Sequence, residues 1–133
     1  MSDINETFFT SIGCMDGRVQ DPVAKYGRER YKVRYADTIT EAGIVGIIAN
    51  KPSKEFLEDL REKVLISINK HYSKGIIVHG HQECAGNPVD DEKHKSDVES
   101  ATREIRNFVS GDLEVKPMFI VKEDDGNWVA TEI

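Results

Sequence analysis

The chain has 133 residues, 38% of them hydrophobic and 32% charged, with a formal net charge of −6 at pH 7. That length suits one domain, read here as spanning 1–133, with a single buried core. The acidic balance argues against nucleic acid or an anionic membrane as the main partner, because either needs a basic face, and no apolar run approaches the length of a membrane span.

In chain order, the N-terminus through Phe9 lacks the basic-then-apolar build of a secretory leader, so a cytoplasmic protein is expected. The run Thr7 to Ile12 is short, aromatic and β-branched, and stops at Gly13; it predicts a buried strand. Asp21-Pro22 has the form of a helix start, cap then proline, and predicts a short helix over 22–29. Tyr31 to Ala36 reads as a second strand, followed by a loop over 37–43 and a short apolar helix to about Asn50. Ser53 then caps the clearest helix, in which Phe56, Leu60, Val64 and Ile68 recur every fourth residue. Gly75 to His79 is the continuous apolar run of a strand covered on both faces. Asp91 is the expected cap of another helix, with Val98, Ala101, Ile105 and Phe108 facing inward, ending at Gly111. Val115 to Val121 is the last core strand; Asp125-Gly126 signals a hairpin, so Trp128 to Ile133 returns antiparallel along the sheet edge. Strands alternating with helices, without repeats or a linker, predict an α/β fold: three layers, a mostly parallel central sheet between helices, with an antiparallel C-terminal edge strand.

Only two cysteines are present, and each stands in a loop that follows a predicted strand. Cys14-Met15-Asp16-Gly17-Arg18 follows the first strand, and His81-Gln82-Glu83-Cys84 follows the central one. In an open parallel sheet, ligands bind beyond the carboxyl ends of the strands, where such loops converge. A free cysteine is most often a small buried hydrophobe, and either one taken singly reads that way. Together, two thiolates and one imidazole form a set that suits Zn²⁺, and three protein ligands leave one position open. Zinc lowers the pKa of a bound water to ~7, while thiolates temper that acidity. Arg18 can hold Asp16 ionised and oriented through a charge-assisted pair.

Cys-x-Asp-x-Arg after a first strand, followed by Gly-His-x-x-Cys after a central strand, resembles the zinc-site signature of β-class carbonic anhydrases. The resemblance implies Cys14, His81 and Cys84 as metal ligands and Asp16 and Arg18 as a catalytic pair. It also implies a homodimer and the reversible hydration of CO₂ to bicarbonate, in which a zinc-bound hydroxide attacks the small-molecule substrate. In the resembling family an Asp at the position of Asp16 either orients the attacking group or ligates zinc as a fourth ligand, and both roles stay open. The segment 34–43 departs from the family's Arg-Asn-Ala-Gly-like pattern. Competing readings keep the site but hydrolyse COS or CS₂, or make it a non-catalytic zinc site closed by Asp16. A Cys14–Cys84 redox pair ranks last, because its spacing is not Cys-x-x-Cys. His94 is a candidate proton relay or, more simply, a buried histidine near the site; His79 reads as structural, and Asn87 and Glu41 as polar loop residues that either line the pocket or face solvent.

Overall fold

A computed structural model describes residues 5–133, so what the sequence reading said of Met1 to Ile4 lies outside the described residues. The elements run β1 (Phe8–Gly13), α1 (Gly17–Tyr31), β2 (Tyr35–Thr40), α2 (Ile44–Ala49), α3 (Lys54–Lys70), β3 (Ile76–His81), α4 (Asp91–Arg106), β4 (Val115–Lys122) and β5 (Trp128–Glu132). The sheet order is β2-β1-β3-β4-β5, with the first four strands parallel and β5 antiparallel to β4 at the edge. This is the expected three-layer α/β architecture, and β3 at its centre is buried at every residue.

Alternate residues of the central strands feed two cores. On one face, Ile12, Ile76, Val78 and Phe119 pack with Val45, Leu60, Val64, Val98 and Ile105 from α2, α3 and α4. On the other, Phe9, Ile77, Met118 and Ile120 pack under Val19 and Val23 of α1. The α3 stripe is as predicted, and the Ser53 hydroxyl accepts the Phe56 N–H at 3.1 Å.

Several boundaries differ from the expectation, each for a local reason. α1 starts at Gly17, not Pro22, because Asp16 is the cap and its carboxylate accepts the Arg18 N–H at 2.9 Å. Val19 and Val23 form a buried stripe across the proline, so tertiary packing outweighs the lost N–H of Pro22. α1 then continues past Gly27 to Tyr31, which removes Tyr31 from the second strand and moves β2 onto 35–40, much of the segment expected as a loop. α4 is capped by Asp90, not Asp91, through the Lys93 N–H at 2.8 Å. It ends at Arg106, short of Gly111: the Asn107 and Phe108 N–H groups bond back to Glu104 and Ile105 in a tightened last turn, and Phe108 packs on the core from outside the helix. Among the described residues no helix is long and apolar enough to cross a membrane.

Candidate metal centre

Parallel pairing puts the carboxyl ends of β1 and β3 side by side, and the two cysteine-bearing loops leave from there. Cys14 follows the last residue of β1. Its main chain is pinned by Gln20, whose amide donates to the Cys14 and Asp16 carbonyls, both at 2.9 Å. Its Sγ accepts the Gly43 N–H at 3.4 Å. Across the gap, the Cys14 and Cys84 sulfurs are 3.8 Å apart. With a nitrogen of His81 they form a buried trio whose ligand atoms all lie within 4.8 Å of one another, and which could hold a metal ion.

The chemistry of the trio favours a cation. His81 Nδ1 lies 2.6 Å from the Gln82 carbonyl, which only accepts, so Nδ1 carries the proton and Nε2 presents a lone pair. Burial lowers the His81 pKa, which keeps the ring neutral. Nε2 is buried without a hydrogen-bond partner among the described residues. Burial, then the neighbouring Cys14, raises the Cys84 thiol above its ordinary range. A buried Nε2 lone pair without a donor is costly in a dry site, and a metal ion resolves that cost while favouring the thiolates. The Gln82 carbonyl that orients His81 is itself fixed. The Gln82 N–H donates to Ile120 O at 3.1 Å and its side chain ties Asp91 to the Lys122 N–H, both at 2.9 Å.

Asp16 stands at the rim, with Oδ2 4.0 Å from His81 Nε2. Both its oxygens are taken by Arg18: Nε donates to Oδ1 at 3.0 Å and Nη2 to Oδ2 at 2.7 Å. The Arg18 hydrogen bonds hold the Asp16 carboxyl down to about 2, against a smaller opposing effect of burial. The five residues singled out from sequence therefore lie together.

The other candidates separate. His94 is buried, its ring centroid 6.2 Å from that of His81 and its edge against Phe119. His79 is fully buried in β3, with Nε2 3.1 Å from the Ser11 hydroxyl and its ring where a Gly13 side chain would be. Asn87 is buried against Gly46 and donates to the buried Asp97 at 3.0 Å, tying the loop after Cys84 to α4. Glu41 lines a separate cleft with Ile39, Phe56 and Lys63. Two neighbours escaped sequence reasoning. Glu83 accepts from Arg18 Nη1 at 3.1 Å, and the Trp128 ring lies 4.6 Å under the Arg18 guanidinium and edge-on to His81 at 6.3 Å. Glu83 had one signal, its place between His81 and Cys84; Trp128 had only its rarity, as the chain's one tryptophan.

Residues 4–131 match a family model described as "Putative carbonic anhydrase". In fold, the chain is similar to the crystal structure of a carbonic anhydrase from Streptococcus mutans, with a TM-score of 0.58 and 15% sequence identity over 99% of this chain and 87% of that one. No curated protein matches it in sequence.

Proposed function

From the premise that the chain belongs to the "Putative carbonic anhydrase" family, we propose that it is a zinc-dependent lyase for the reversible hydration of CO₂ to bicarbonate. Cys14, His81 and Cys84 are the metal ligands in this reading, Asp16 is the catalytic carboxylate and Arg18 positions it. The observation that carries it is the bare, buried Nε2 of His81 beside two sulfurs, with the Arg18-held Asp16 at its rim. When bound, zinc supplies a Lewis acid that brings the pKa of a water down to ~7.

The chain's own residues supply the rest. His81 offers a neutral lone pair because Gln82 fixes its tautomer. Asp16, ionised at neutral pH, is an acceptor only, so it takes a hydrogen bond from the attacking water and turns that water's lone pair toward the carbon of CO₂. Arg18 keeps the carboxylate charged and in one orientation. COS and CS₂ are electrophiles of the same shape and remain the alternative substrates. A second reading, a closed non-catalytic site, draws support from the 4.0 Å between Asp16 Oδ2 and His81 Nε2, which a short movement would convert into ligation. The two bonds from Arg18 to Asp16 weigh against it.

Metal analysis of the purified protein should give one zinc per chain, and Cys84→Ser should lose it. Stopped-flow assays should show CO₂ hydration by the zinc-loaded protein. Zinc-loaded protein inert toward CO₂ up to alkaline pH would sink the lyase reading and leave the metal site standing. The reading also includes a cytoplasmic location and a homodimer; the homodimer draws support from the edge strands β2 and β5, each of which leaves one side of its ladder unpaired among the described residues. Light scattering should then give twice the chain mass of 15.0 kDa.

A further inference from the structure

Arg18 is half-exposed, yet four of its five N–H groups have partners and one face of its guanidinium is covered. Two of those bonds go to Asp16. The other two go to Glu83: Nη1 to the carboxylate at 3.1 Å and Nη2 to the main-chain carbonyl at 3.2 Å. Glu83 holds that carbonyl in place from a left-handed backbone, φ 57°, which side-chain-bearing residues rarely adopt. The covered face lies on Trp128, the first residue of the edge strand β5. These contacts join three separate parts of the chain: the loop after β1, the loop after β3, and β5.

We propose that Glu83 and Trp128 are positioning residues for the Asp16–Arg18 pair. Glu83 locks the guanidinium within its own plane and Trp128 locks the plane itself, so both oxygens of Asp16 stay on Arg18 instead of turning to the metal position. A carboxylate can leave a mobile guanidinium or drag it along; it can do neither easily when the guanidinium is held from two further sides. The clamp thus selects the orienting role of Asp16 over the closing one. Trp128 serves the purpose better than an aliphatic residue because its ring face attracts the cation, and it sits edge-on to His81 without offering an acceptor. This inference rests on the reading of Asp16 as the working carboxylate.

The test reads the guanidinium directly, by ¹⁵N NMR of the full chain with and without zinc. Exchange of the Arg18 Nε–H with water should quicken about threefold in Glu83→Ala and in Trp128→Ala, the effect expected of one exposed ion pair or cation–π contact. Trp128→Phe, which keeps a ring face, should restore slow exchange. Arg30, held by Glu114 through bonds of 2.6 and 2.8 Å away from the site, is the internal reference and should not change. In the zinc-loaded protein, kcat/KM for CO₂ should fall in the order in which the exchange rates rise. Unchanged Arg18 exchange in the folded alanine variants overturns the proposal. So does a parallel rise for Arg18 and Arg30, which would mark general loosening. If Trp128→Ala does not fold, Glu83→Ala against Glu83→Gln decides, with Gln expected to lie between wild type and Ala. Inactivity of the wild-type protein would instead count against the lyase reading, and the exchange measurement would still judge the clamp.

Discussion

Asp16 Oδ1 accepts the Arg18 backbone N–H, which caps α1, and also the Arg18 Nε–H. The two bonds can be separated by substitution. Asp16→Ala removes the cap along with the carboxylate and lowers stability by about 1 kcal/mol as well as activity. Arg18→Ala leaves the backbone N–H and the cap in place and deletes only the guanidinium. The expected result is a folded variant that binds zinc with wild-type stoichiometry but loses turnover by about 10²-fold, the lower range for disabling a positioned acid–base group. Metal analysis beside stopped-flow kinetics checks both halves, and normal turnover would refute the role given to Arg18. Cys14, His81 and Cys84 were legible in the sequence because their residue types limit the chemistry and they stand at or just after the ends of strands, while Asp16 and Arg18 came from the family resemblance. Trp128 was not legible: Asp125-Gly126 signals the return of β5 along the sheet edge, but nothing local to it indicates that its ring would lie under Arg18.

Helix limits were the least legible feature, and α1 shows the cause. Proline and capping rules placed its start at Asp21, but the helix is set by Val19, Val23 and Gly27 facing the sheet. Gly27 is buried, and the space its side chain would take is filled by the Phe9 ring of β1. Alanine favours a helix interior over glycine by about 1 kcal/mol, while overpacking a tight contact costs about 1–3 kcal/mol. Phe9 is fully buried and has little room to yield, so Gly27→Ala should destabilise the protein by about 1–2 kcal/mol in urea unfolding. A stabilised variant would show that Phe9 moves freely. At the far end of α1, Arg30 and Tyr31 both donate to Glu114, just before β4. The Arg30 hydrogen bonds, first among several causes, hold the Glu114 carboxyl at about 2, below its ordinary 4.5. A depressed folded-state pKa gives stability that is complete above the unfolded value and lost as pH falls through the folded one, so this contribution fades between about pH 4.5 and 2. Glu114 is well solvated, so the contribution stays below about 1 kcal/mol. Urea melts at several pH values should show Glu114→Gln less stable at neutral pH and with a shallower acid slope than wild type; identical slopes would count against the coupling of α1 to β4.

Across the whole molecule, the site follows from strand order. From β1 the chain moves outward to β2 and then crosses back to β3, so β1 and β3 are neighbours whose following loops turn to opposite faces of the sheet: α1 on one, α4 on the other. Such a switch point leaves a crevice at the carboxyl edge, and Cys14, His81 and Cys84 sit on its two lips. The alternation of strands and helices was readable from the apolar runs, but the order of strands was not, because it depends on which crossovers bury both faces. A metal held between the lips links two segments that only the folded sheet brings together, so the unfolded chain lacks the preformed site and binding energy becomes folding energy. With free zinc at 100 times its dissociation constant, the linkage amounts to about 2.7 kcal/mol. Calorimetry should therefore show a clear upward shift of the melting temperature with zinc, reversed by a chelator. Cys84→Ser should melt near the metal-free wild type and gain far less from zinc. An equal gain in that variant would place the bound ion elsewhere on this acidic protein, and no gain in either would remove the metal from the account of the fold.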